Sequence, residues 1–224
     1  YDINVERAYV ITIKGNKASE TLAGRCESTC RNVEMPYQRW DAYDGTGETI
    51  IPPDHLVDHP FMSMLKVTDH YMTRGEVACA LSHISLWSHC AQIDKPIVIL
   101  EHDAIMVNRF QHHGSFNSII YLGGSEWHNK NWPMVSIPPH ASDGPNKHFI
   151  CRAHAYSIDP AIARNLLCHV LRMGICDPLD IMMRADLFNI THQGLFAYDK
   201  PMGTTIAARP VDGRTVKRND NLSI

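Results

Sequence analysis

No stretch of this 224-residue chain approaches the roughly 18 consecutive apolar residues of a membrane span, so no transmembrane helix is expected. Neither charge sign is in excess: 21 Lys+Arg against 24 Asp+Glu give a formal net charge of −3. That balance speaks against a general nucleic-acid coat or a polybasic membrane binder, and leaves room for a local basic groove. There is no CxxC pair and no HExxH motif among 7 Cys and 14 His. An odd, irregularly spaced cysteine set argues against a disulfide scaffold and against a structural zinc site, and favours reduced thiols. Tyr1 to Arg7 show no signal-peptide pattern. With reduced thiols, this gives the expectation of a cytoplasmic protein. Internal repeats, heptads and low-complexity tracts are also missing. With 44% hydrophobic and 20% charged residues, a core can form and wholesale disorder is excluded.

What is present reads as an α/β pattern. Ala8-Tyr9-Val10-Ile11-Thr12-Ile13 is β-branched and aromatic, and predicts a buried strand. A helix follows over about Ala18 to Asn32, where Cys26 and Cys30 share a face, then a short strand over Tyr37 to Asp41. This βαβ opening predicts a mostly parallel central sheet flanked by helices. Residues 46–71, with Pro52-Pro53 and His59-Pro60, read as a long excursion. Gly75 to Ile93 predicts a helix with an apolar stripe of Val77, Leu81 and Ile84. Pro96 to Asp103 is an apolar strand ending in acid, as a central strand covered on both faces would be. Ser118 to Gly124 and His148 to Ile158 predict further strands, with a Trp-, Asn- and Pro-rich loop over 125–147 between them. Asp159-Pro160 signals a helix start, Asp as N-cap and Pro at N1, and Cys176-Asp177-Pro178-Leu179-Asp180 repeats that signal. After Phe196 the tail is polar, with a basic cluster of Arg209, Arg214, Lys217 and Arg218. One domain over 1–224 is the expectation for this length.

Leu100-Glu101-His102-Asp103 is the strongest site candidate. Ligands of open α/β sheets bind at the carboxyl ends of strands. Two carboxylates two residues apart at such an end can reach one hard cation, with a nucleotide diphosphate completing its coordination. The plain alternative is a strand end with solvated acids. Glu76, Ala80, His83 and Trp87 form a second helical stripe that aligns a carboxylate with an imidazole. A first-turn Glu is favoured by the helix dipole in any case. Ser82 lies about 100° round the helix from His83. Asp180 has capping or dipole stabilisation as its ordinary role, and becomes a catalytic candidate if its helix start faces Asp103. The basic tail cluster could neutralise a departing diphosphate.

The block Gly75-Glu76-Val77-Ala78-Cys79-Ala80-Leu81-Ser82-His83, followed by Leu100-Glu101-His102-Asp103, resembles glycosyltransferase family 25. That family includes lipooligosaccharide and procollagen galactosyltransferases, with a G-E-x-x-C-x-x-S-H block and a strand ending in L-E-D-D. Tyr9 to Ile13, Asp41 to Gly45, Tyr121 to Gly124, Ala153 to Ile158 and Pro178 to Asp180 are similar to other blocks of the family, in the same order. Two departures stand out. His102 replaces the middle acid of the triplet, and Lys14-Gly15-Asn16-Lys17, with Arg25 further on, replaces an Arg-rich stretch.

The resemblance implies a GT-A-like domain, with a nucleotide-sugar half at about 1–124 and an acceptor half at about 125–224. It implies inverting transfer of a hexose, galactose or glucose, from a UDP-sugar to a glycan or other hydroxyl acceptor, as in lipopolysaccharide biosynthesis. Mn²⁺ or Mg²⁺ would assist as a Lewis acid. In these terms Asp103 is the first metal ligand, Glu101 supports it directly or through water, and His192 adds a late contact. Asp180 is the base, and Glu76, Ser82, His83 and Glu101 line the donor pocket. His102 motivates a second reading, a catalytically silent relative that binds glycans or nucleotides or serves a structural role. A third keeps the chemistry with a DNA base as acceptor, which the charge balance does not support.

Overall fold

The computed structural model describes residues 5–68, 72–112, 116–124, 135–136 and 153–199. Strand β1 (Ala8–Thr12) is buried along its whole length. Helix α1 (Lys17–Asn32) starts where the Asn16 side chain accepts from the Ser19 N–H. It buries Ala23, Cys26 and Cys30 on one face. β2 (Tyr37–Asp41) then pairs parallel with β1, Val10 opposite Arg39. Helix α2 (Arg74–Ile93) stops at Asp94, whose φ of 52° lies in the left-handed region. β3 (Ile97–Glu101) pairs parallel with the other edge of β1. β4 (Ala104–Met106), β5 (Ile119–Gly124), the two-residue β6 (Val135–Ser136) and β7 (Ala155–Ile158) follow. Helices α3 (Pro160–Met173) and α4 (Leu179–Met182) precede the last described strand, β8 (Ile190–Asp199).

The described strands form one eight-stranded sheet in the order β2-β1-β3-β7-β5-β8-β4, with β6 on β8. The expectation of a mostly parallel sheet is corrected here. The β1–β2, β1–β3 and β5–β8 ladders are parallel. The β3–β7, β5–β7, β4–β8 and β6–β8 ladders are antiparallel, so the sheet is mixed. Continuous burial reports coverage of both faces and says nothing of direction, and β7, buried at every position, slots in antiparallel between β3 and β5.

Side chains alternate between two layers. Tyr9, Ile11, Ile97 and Ile99 face the layer holding α2 and α3. Ala8, Val10, Val98 and Leu100 face α1. The segment after Gly45 is more than an excursion. Leu56, Met62, Leu65 and Met72 enter the α2 layer from it, two of them through short 3₁₀ turns. Of the two helix-start signals, one differs from expectation. Asp159 caps α3 as foreseen, its carboxylate accepting from the Ile162 N–H at 2.9 Å. At the second Asp-Pro pair it is Pro178 that occupies the cap position, without a side-chain bond, and α4 is a single turn. The end of strand β8 runs into the stretch after Phe196 read as a polar tail, while most of 125–147 and the whole basic cluster from Arg209 to Arg218 lie outside the described residues. Among the described residues no helix is long and apolar enough to cross a membrane.

Candidate functional site

A cleft of about 70 Å³ opens at the carboxyl ends of β1 and β3. Ile11 and Ile13 come from the end of β1, Tyr43 and Gly45 from the loop after β2, and Glu101 and His102 from the tip of β3. The remaining wall is one side of α2, with Gly75, Cys79, Ser82 and His83 at helical spacing. Position 45 must be glycine. A Cβ there would stand 2.5 Å from the Arg74 carbonyl oxygen, so the loop presses directly on the first turn of α2. Ser82 holds the same loop: its hydroxyl donates to the Ala78 carbonyl at 2.7 Å and accepts from the Tyr43 N–H at 2.9 Å. Burial pushes the Tyr43 phenol up to about 12.

His83 is buried, its side chain 1% exposed, while that of Glu101 is 31% exposed at the cleft. Nδ1 of His83 lies 2.8 Å from the Tyr156 hydroxyl, which also accepts from Trp87 Nε1–H at 2.9 Å. Nε2 of His83 lies 3.4 Å from Glu101 Oε1 without hydrogen-bond alignment, and has no other partner. Burial works against ionised Glu101, but the rings of His83, His154 and His102 outweigh it and hold its carboxyl below the usual range.

Asp103 sits in the turn beyond the strand rather than on the strand itself. Its backbone carbonyl accepts from the Arg25 guanidinium at 3.0 Å. Its Oδ1 is buried and has no hydrogen-bond partner. Burial, then the charge of Glu101, raises its carboxyl above the ordinary value. His102 between the two acids lines the cleft, its Nδ1 3.2 Å from the Ser19 hydroxyl. The thiol of Cys79 is pushed far up by burial and then by the charges of Glu101, Asp180, Asp103 and Glu76. The charges of four carboxylates, from α2, from the tip of β3 and from α4, are therefore felt at this thiol.

Of the expected site residues, Ser82, His83, Glu101 and His102 line the cleft, while Glu76, Asp103 and Asp180 are not among its lining residues and reach its wall through their charges on Cys79. Glu76 serves first as a capping-box residue. Its carboxylate accepts from the Thr73 N–H at 2.8 Å, and its own N–H donates to the Thr73 hydroxyl at 3.2 Å. Asp180 stands in the first turn of α4, which packs on α2. His192 is buried on β8, stacked on Tyr121 with ring centroids 5.2 Å apart. Its Nε2 donates to the Gly123 carbonyl at 2.9 Å, so a metal contact from this ring would have to use Nδ1. Sequence reasoning gave no role to Cys79, Tyr43, Gly45 or Tyr156. The Thr73-Arg74-Gly75-Glu76 pattern, a capping-box signature, was also there to be read.

The profile of glycosyltransferase family 25, described as an LPS biosynthesis protein family, matches residues 6–135. That is 130 of 224 positions, more than half of the chain, and it spans the whole cleft wall from β1 to β5. The chain belongs to glycosyltransferase family 25. No curated protein matches it. Family 25 membership implies an enzyme that moves a sugar from a donor to an acceptor. The matched span holds Glu76, Ser82, His83, Glu101 and Asp103 and stops short of Asp180 and His192.

Proposed function

We propose that this family 25 glycosyltransferase has a GT-A-like architecture and transfers a hexose, galactose or glucose, from a UDP-sugar to an acceptor hydroxyl with inversion, assisted by Mn²⁺ or Mg²⁺. The observation that carries the reading is the pair of carboxylates at the tip of β3, Glu101 at the cleft and Asp103 with a buried, unpartnered oxygen. The donor chemistry fits a hard cation. Two crowded carboxylates repel each other, and oxygen ligands suit Mg²⁺ and Mn²⁺. Asp103 and Glu101 would hold the ion, with His192 as a further contact. When bound, it supplies Lewis-acid neutralisation of the departing diphosphate.

The chain's own residues do the rest. Inversion by one displacement needs a base for the acceptor proton. Asp180 would serve as that base, and the packing of α4 on the helix that forms the cleft wall supports this assignment. Ser82 fixes the Tyr43–Gly45 loop that shapes the donor pocket. Glu76 holds the start of α2. A nucleotide-sugar screen with and without Mn²⁺ tests the reading. Metal-dependent UDP release should vanish in Asp103→Ala, and Asp180→Asn should bind donor without transferring. Full activity in both variants refutes the assignment.

His102 in the acid triplet favours a second reading, a binding protein without turnover. Its ring is already engaged with Ser19 and puts no carboxylate beside Asp103. UDP binding with no turnover on any nucleotide sugar would select it.

A further inference from the structure

We infer that the cleft holds a second kind of cation site, for a thiophilic divalent ion of the Zn²⁺ class, made by Cys79 Sγ, His83 Nε2 and a Glu101 carboxylate oxygen. Among the described residues, the ligand atoms of these three lie within 4.8 Å of one another. All three residues line the cleft, so a fourth coordination position faces open space.

Two observations point to an ion. The first is the state of His83. Its Nε2 is buried and has no hydrogen-bond partner, although Glu101 Oε1 is 3.4 Å away. That separation is too long and too poorly aligned for a good hydrogen bond. It matches the edge of a coordination tetrahedron, since two N/O ligands at 2.0–2.1 Å from one ion stand about 3.3 Å apart. The second is the other ring nitrogen. Nδ1 faces the Tyr156 oxygen at 2.8 Å, so with an ion on Nε2 the proton resides on Nδ1 and donates to Tyr156. A ligating imidazole ordinarily has such a partner, which fixes the ring and its tautomer.

The donor set decides the ion. Sulfur, imidazole and one carboxylate suit Zn²⁺ and its spectroscopic surrogate Co²⁺, whereas Mn²⁺ and Mg²⁺ prefer oxygen. Binding expels the thiol proton of Cys79 to solvent, leaving a thiolate on the metal. The site does not depend on the UDP-hexose reading and shares only Glu101 with the proposed Mn²⁺ ligands. The two ions therefore compete for that carboxylate.

The test is a titration of the purified protein with Co²⁺ alone, followed by absorption. One equivalent should give tetrahedral ligand-field bands and a near-ultraviolet thiolate-to-Co²⁺ charge-transfer band. Cys79→Ser should lose the charge-transfer band, Cys168→Ser on α3 should keep it, and His83→Gln should weaken Co²⁺ binding at least about tenfold. If Cys79→Ser does not fold, Zn²⁺ protection of wild-type Cys79 against alkylation, read by peptide mass spectrometry, replaces it. Absence of a charge-transfer band in the wild type, its persistence in Cys79→Ser, or alkylation of Cys79 at the same rate with Zn²⁺ bound overturns the proposal. None of these readouts involves a nucleotide sugar, so sugar transfer can fail while this site stands, and the reverse.

Discussion

Helices α2 and α3 pack against each other on one face of the sheet, yet α2 buries 12 of its 20 residues and α3 buries 5 of its 14. The buried set of α3 is Ile162, Ala163, Leu166, Leu167 and Val170, all apolar, the stripe of an ordinary amphipathic helix. The buried set of α2 includes Ser82, His83, Ser85 and Ser88. Burying a polar group is unfavourable unless it is bonded. Ser82 is bonded to the Tyr43 N–H, Ser85 accepts from Trp40 Nε1–H at 2.9 Å, and His83 meets Tyr156. The contrast separates two jobs: α3 contributes burial, and α2 contributes burial plus the position of the cleft loop.

The largest effect should come from Trp87→Ala in α2. The side chain is fully buried and donates to Tyr156, so stability should fall by about 3–5 kcal/mol in urea unfolding. UDP turnover per folded molecule should fall as well, because the His83–Tyr156 contact loosens. Leu166→Ala in α3 should lose about 2–5 kcal/mol with turnover per folded molecule unchanged. Equal losses of turnover in both variants would erase the distinction between the helices.

Ser82→Ala should cost less, about 1–3 kcal/mol, by leaving the Tyr43 N–H unpartnered. Its diagnostic is a raised KM for donor, since the Tyr43–Gly45 loop lines the cleft. The smallest effect concerns pH. His89 on α2 and His169 on α3 both have their pKa lowered, first by burial and then by nearby arginines. A depressed folded-state pKa means that the neutral ring is favoured. The stability it contributes is present above the unfolded value near 6.5 and is lost as pH falls through the folded value. Thermal melts at pH 7.5 and 5.5 should show destabilisation at the lower pH, reduced in His89→Gln and also in His169→Gln. Here the helices should behave alike.

Much of this was legible in the chain. The β1-α1-β2 opening, the α2 helix, the β3 strand and the Asp159 cap are local signals, and each appears within two residues of its expected place, the largest difference being β3, which ends at Glu101 rather than Asp103. The family 25 block was readable because it is a contiguous run of residue types, Gly75 to His83; that Cys79, Ser82 and His83 line one cleft was not, since Ser82 and His83 stand about 100° apart on the helix. Strand direction was not legible, since β7 carries the same apolar run whichever way it points. β8 was missed because a Gly interrupts its alternation, and because its partner β5 shifts register between Tyr121 and Gly123. The single turn of α4 repeats the start signal of α3 but lacks an apolar stripe long enough to extend it. The contacts that define the cleft, Gly45 on Arg74 and His83 beside Glu101, join residues distant in sequence and have no local signature.

The central claim is that the acidic tip of β3 holds a divalent ion that retains the sugar donor's phosphates. Calorimetric titration of UDP into the wild type and Asp103→Ala, each with and without Mn²⁺, tests it most directly. Mn²⁺-dependent UDP binding in the wild type, abolished in Asp103→Ala, is the predicted result. Equal UDP affinity in the two proteins, or binding indifferent to Mn²⁺, would contradict it.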